Sequence, residues 1–160
     1  YEYIRHPAKW ARVTANVEKV LNLPNLHLSF VPIISAYNAL NIVDLCQYCD
    51  SIGVNFSLHD LGGNDNIDLG VLPPMARRLA IERLRTYAGS GCRPQNLHSV
   101  IRIADRLERE PFEPGRLPEF MEFTNDLDVG RHADFQVVHA ELCSLMARDG
   151  HPWQLRKRYA

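Results

Sequence analysis

No apolar run in the 160-residue chain approaches the roughly 20 residues of a membrane-spanning helix, and no charged-then-apolar segment marks a secretory leader. Excess charge of either sign is missing as well: 18 basic side chains stand against 19 acidic ones, for a formal charge of −1. That balance provides no basic field for nucleic acid or anionic lipid, so neither nucleic acid nor a membrane is expected as a partner. Only the tail "LRKRY" is locally basic, and it reads as solvated. Cysteine is scarce, and the four thiols (Cys46, Cys49, Cys92 and Cys143) contain one close pair, unlike a secreted disulfide framework. Reduced thiols and a cytoplasmic location are the expectation. Internal repeats and low-complexity stretches are absent too, and "EREPFEPGR" is the only linker-like segment. What remains is a composition, 46% hydrophobic, that suits one globular core. The chain opens at Tyr1 rather than Met, which is expected of a fragment or excised domain.

The apolar spacing predicts a first helix over 7–22, with Pro7 in its first turn and "NLPN" ending it. Residues 26–35, "LHLSFVPIIS", read as a strand with a bulge or a strand end near Pro32, because proline cannot donate a ladder hydrogen bond. A second helix is predicted from about Asn38 or Ala39 to Ile52, with Gly53 as its left-handed cap. In "VNFSLHDL", Val54, Phe56 and Leu58 alternate with Asn55, Ser57 and His59, the period of a strand with one apolar and one polar face. Strand, helix and strand together predict a right-handed crossover between parallel strands. Helices over "LPPMARRLAIERLRTYAG", 95–109, 117–127 and 135–148 fill the rest.

Three groups invite a functional reading. The C-x-x-C pair comes first. Ile42, Leu45, Cys46 and Cys49 recur at helical spacing, so both sulfurs lie on an apolar stripe, about two turns inside the helix. A redox pair needs a helix N-terminus to lower its thiol pKa, and zinc needs two further ligands that no second C-x-x-C or H-x-x-x-H supplies. Buried core cysteines are the expectation. The loop "NDNIDLG" fails the EF-hand pattern, since Leu69 and Met75 fall where its glycine and closing glutamate belong. The polar strand faces say more. His27, Ser29, Val31, Ile33 and Ser35 would share one face, as would Asn55, Ser57 and His59, whereas buried parallel strands are apolar on both. A cavity or barrel lumen and an exposed sheet face both fit. In α/β folds ligands sit at the carboxyl ends of strands, here Ser35 to Asn38 and His59 to Gly63.

The string "YEYIRHPAKWARVTANVEKVLNLPN" resembles the segment after the fourth barrel strand of radical S-adenosylmethionine (SAM) enzymes, in the twitch-domain group related to the SPASM enzymes. Tyr3, Ile4, Arg5, Trp10, Val13 and Asn16 carry the likeness. It continues through "SAYN" and "LPPMARRLA" into "FMEFTNDLDVGRHADFQVVHAELCSLM", which is similar to the family's closing F-x-E-[FY]-T-x-x-L-D segment. The C-x-x-x-C-x-x-C loop that holds the catalytic [4Fe-4S] cluster does not occur in the chain, nor does the auxiliary-cluster pattern.

The resemblance implies an α/β fold: the C-terminal half of a partial (β/α) barrel over residues 1–90, its two strands the fifth and sixth, and a helical C-terminal extension over 91–160. It implies SAM in the lumen, cleaved reductively to a 5'-deoxyadenosyl radical that abstracts hydrogen from a small-molecule or peptide substrate. The [4Fe-4S] cluster would be ligated outside this chain, by a missing N-terminal half of the same protein. Arg5 would pair with the SAM carboxylate, Val31 and Ile33 would flank the adenine, and Ser35 and Asn38 would lie beside the cofactor, Asn38 capping the following helix. Asn55, Ser57 and His59 would face the substrate, and no catalytic acid or base is assigned. The rival reading is a non-catalytic α/β binding or interaction module without the cluster. A third, thiol oxidoreduction by Cys46 and Cys49, requires a reactive Cys46.

Overall fold

The computed structural model describes residues 1–61 and 65–154. Gly63 of the expected ligand-binding end and the basic tail lie outside that range. Helix α1 (Trp10–Leu21) leads to two short strands, β1 (Ser29–Phe30) and β2 (Ile33–Ile34), then α2 (Ile42–Ser51), β3 (Asn55–Phe56) and β4 (His59–Asp60). Helices α3 (Pro74–Gly89), α4 (Pro94–Arg109), α5 (Leu117–Arg131), α6 (Phe135–Val138) and α7 (Ala140–Arg148) follow among the described residues. The molecule is therefore mixed, mainly helical with two short parallel strand pairs. Among the described residues no helix is long and apolar enough to cross a membrane.

Both strand pairs are parallel, β1 with β3 and β2 with β4, and both keep one register: Ser29 opposes Asn55, and Ile33 opposes His59 at the same sequence offset. Between them the Ser57 amide donates to the Phe30 carbonyl at 3.0 Å and the His59 amide to Pro32 at 2.9 Å. Alternation would next have position 32 donate to the Ser57 carbonyl, and proline has no N–H. Of the two expectations for Pro32, the strand end is what forms; the unchanged register leaves no bulge. Helix α2 provides the crossover, and Gly53 ends it at φ +73°, a left-handed conformation that glycine adopts without Cβ strain.

One core cluster runs from Tyr3 to Met146. Helix α4 contributes Val100, Ile103, Ala104 and Leu107 at helical spacing. Helix α3 contributes Ala76, Ala80 and Leu84, its two alanines allowing close approach. Phe56 and Leu58 bring the inner face of the second strand run into the same cluster. Arg77 is buried, and its guanidinium donates to the carbonyls of Leu69, Leu107, Glu110 and Pro111, holding the end of α4 against the turn before α3.

Four element boundaries differ from the sequence expectation. Helix α1 starts at Trp10 rather than at residue 7, and Pro7 lies in the turns before it instead of in its first turn. Helix α2 starts at Ile42 rather than near Asn38, because residues 36–41 form consecutive turns. The last helix is broken at His139 (φ −117°), which separates α6 from α7. The fifth helix extends to Arg131, where His132 caps it in a left-handed conformation (φ 51°).

Candidate functional site

The strand faces divide sharply by burial. Val54, Phe56 and Leu58 are buried, while Asn55, Ser57 and His59 are exposed. On the neighbouring run His27, Ser29 and Val31 are exposed and Ile33 is half-buried. The strands thus present a bare face on which these seven positions carry no Asp, Glu, Lys or Arg. Solvent-exposed surface is ordinarily rich in such side chains. Parallel sheets ordinarily have both faces covered. Ser35 departs from the expected face: it is 4% exposed, because the chain turns inward after Ile34.

Asn38 explains that turn. Its side-chain oxygen accepts from the Ser35 amide at 2.8 Å and its side-chain nitrogen donates to the Ile33 carbonyl at 2.9 Å. The side chain closes the end of β2 instead of capping α2, whose N-cap residue is Asn41 and makes no side-chain cap bond.

The two lateral edges of the strand assembly are unequal. Along the second run, Asn96 of α4 accepts from the Phe56 amide at 2.9 Å and Arg102 donates to the Leu58 carbonyl. Arg102 and Arg106 also hold both carboxylate oxygens of Asp60, and that pairing keeps its carboxyl below the usual range against the opposing cost of burial. Helix α4 therefore seals this edge. On the first run, ladder alternation points the N–H and C=O of Ser29 and Val31 outward, away from β3.

At the carboxyl end of β2 three segments far apart in the sequence meet. Tyr37 of "SAYN" packs edge-on against Tyr3, ring centroids 5.6 Å apart, and its hydroxyl shares a 2.8 Å hydrogen bond with Thr124 of "FTNDLD". Tyr3 donates to Asp128 at 2.8 Å, and Arg131 donates to the Tyr3 carbonyl at 2.9 Å. His139 stands in the same ring cluster, 5.1 Å from Tyr3 and 4.5 Å from Phe135, with its Nε2 buried and unpartnered among the described residues. Burial lowers its pKa to about 4. Burial pushes the Tyr37 hydroxyl up to about 12. Arg5, two residues beyond Tyr3, is exposed, and its guanidinium has no partner among the described residues.

Cys46 and Cys49 are both 0% exposed. Burial raises both thiols, Cys49 to about 11, so neither has the thiolate character that redox chemistry needs. Among the described residues no group of three or more His, Cys, Asp or Glu could hold a metal ion.

Sequence reasoning finds the exposed face through its alternation. It misses Asn96, Arg102, Thr124 and Asp128, whose partners lie far away in the chain. The chain matches no protein-family model, no curated protein and no solved structure with which it was compared.

Proposed function

We propose that the chain is the C-terminal half of the partial (β/α) barrel of a cytoplasmic radical SAM enzyme, flanking the cofactor and facing the substrate. The observation that carries this reading is the bare face of the parallel strands, polar yet without formal charge. A barrel lumen needs such a face, with the opposite side turned to the helices. The unequal edges support it too: one is closed by α4, while the other is free for a preceding strand from the missing half of the protein.

The residues suit SAM unequally. Arg5 offers an uncommitted guanidinium, whose planar fork matches the carboxylate of the methionyl group. Val31, 57% exposed, and Ile33 offer apolar surface to an adenine. Asn38 does not suit direct binding, because the strand end consumes both ends of its amide; with Ser35 it would fix the backbone beside the cofactor. When bound and reductively cleaved, SAM supplies a 5'-deoxyadenosyl radical. Asn55, Ser57 and His59 would hold a small-molecule or peptide substrate through neutral hydrogen bonds. The [4Fe-4S] cluster would be ligated by residues outside this chain.

The test is anaerobic reconstitution of the full-length protein with iron, sulfide and reductant, followed by an assay for 5'-deoxyadenosine after SAM is added. Formation of that product is expected, together with a C-x-x-x-C-x-x-C segment upstream in the reading frame. An initiator Met just before Tyr1, with no such segment, would overturn the proposal and leave the non-catalytic binding module.

A further inference from the structure

We infer that Asp128 is a positioning residue for Arg5, acting through Tyr3; the inference rests on the reading of Arg5 as the carboxylate-binding arginine of the SAM site. The N-terminal segment has no strand to hold it. Its anchor is Tyr3, 8% exposed, with its ring against Tyr37 and His139 and its hydroxyl on Asp128 Oδ1. The other Asp128 oxygen accepts from the Phe135 amide at 2.8 Å, so the carboxylate is fixed between the end of α5 and the start of α6. Arg131, one turn further along α5, holds the Tyr3 backbone through its carbonyl.

Beyond Tyr3 the chain folds into tight turns. The Arg5 amide donates to the Tyr1 carbonyl at 3.0 Å, and the Ala8 amide to the Arg5 carbonyl at 2.7 Å. Arg5 is thus the first cation after a buried anchor, within about 7 Å of Tyr3 along the chain. That anchor is itself docked on Tyr37, three residues past β2, where an α/β fold binds its ligand. Exposed and without a partner among the described residues, the Arg5 guanidinium takes its location from its backbone, which Tyr3, the half-buried Ile4 and the Arg131 bond to the Tyr3 carbonyl hold in place. The Tyr3 to Asp128 hydrogen bond, which spans 125 positions of the sequence, is the side-chain member of that set of restraints.

The experiment measures the affinity of the reconstituted full-length protein for S-adenosylhomocysteine, the demethylated thioether, whose homocysteinyl carboxylate stands in for the methionyl carboxylate of SAM. Asp128→Asn is expected to weaken binding about tenfold, the scale of one hydrogen bond to a charged group. Arg5→Ala should weaken it at least as much, and Asp128→Asn should add nothing in the Arg5→Ala background. Tyr3→Phe, which keeps the ring and removes only the hydroxyl, should reproduce the Asp128→Asn loss and serves if that variant fails to fold. Equal losses from Asp128→Asn with and without Arg5 would overturn the inference, as would an unchanged affinity in both Asp128→Asn and Tyr3→Phe. Failure of the wild-type protein to bind the probe would instead overturn the SAM reading itself, and the role assigned to Asp128 with it.

Discussion

Asn96, near the start of α4, accepts the Phe56 backbone amide of β3 at 2.9 Å and donates its own side-chain nitrogen to Asp50 Oδ1 at 3.0 Å. A helix side chain thus takes the place that a further strand would occupy. Tyr87 donates to the other Asp50 oxygen, so one buried network ties β3 to the ends of α2, α3 and α4.

Asn96→Ala would leave the Phe56 N–H buried without an acceptor, and Asp50 with one donor fewer. A loss of about 2–3 kcal/mol is expected from urea unfolding, with faster exchange at the Phe56 amide. Asn96→Asp keeps the acceptor but sets a second carboxylate against Asp50. Its deficit relative to the wild-type protein should therefore be larger at pH 7 than at pH 5, where one carboxyl of such a pair can take up a proton.

The unequal edges make an amide-exchange prediction. Ser57 and His59 donate into the ladder and should be protected, whereas Ser29 and Val31 point away and should exchange far faster. Residue-resolved NMR exchange checks it. Strong protection at Ser29 and Val31 in a monomer would mean that something covers the open edge.

His139 sets a pH dependence. Its folded pKa of about 4 lies below the ordinary value, so as the pH falls through about 6.5 the unfolded chain takes up a proton that the folded chain refuses. Stability is then lost progressively down to about pH 4, by about 2 kcal/mol between pH 7 and pH 5. Asp60 and Asp68, whose carboxyls are held low by arginine and backbone partners, contribute their own loss only at more acid pH. His139→Phe should flatten the urea midpoint between pH 7 and 5 and leave the lower-pH loss in place.

Gly70 is buried where an added Cβ would meet Arg116 Nη1 at 3.0 Å, Glu113 Oε1 at 3.2 Å and Asp68 Oδ1 at 3.3 Å. Gly70→Ala asks these side-chain ends to give by a few tenths of an ångström, and Asp68 Oδ1, tied to the Gly70 amide, is the least free to do so. A loss of up to about 1 kcal/mol and a small drop of the thermal midpoint in calorimetry are expected.

Much of this architecture is legible where a local rule operates. The alternation of residues 54–59 reveals the two strand faces, the spacing of Cys46 and Cys49 reveals their burial, and Gly53 marks a helix end, because each depends on neighbours within a few residues. Asn38 is harder to read. An asparagine after a strand can cap the next helix or close the strand, and the turn over 36–41 decides. The seals made by Asn96 and Arg102, and the meeting of Tyr3 with Asp128, depend on packing between distant segments and leave no periodic trace. The break at His139 is hidden for a related reason: Val138, Leu142 and Leu145 keep helical spacing across it, while the ring turns into a cluster assembled from both ends of the chain.

Pro32 leaves the strand register unchanged on its two sides, so the division between the strand pairs is not a bulge, and no extra residue is accommodated there. What parts them is a single absent hydrogen atom. Any residue with a backbone N–H at position 32 would supply the donor missing opposite the Ser57 carbonyl and join the two pairs into one unbroken ladder from Ser29 to Ile34.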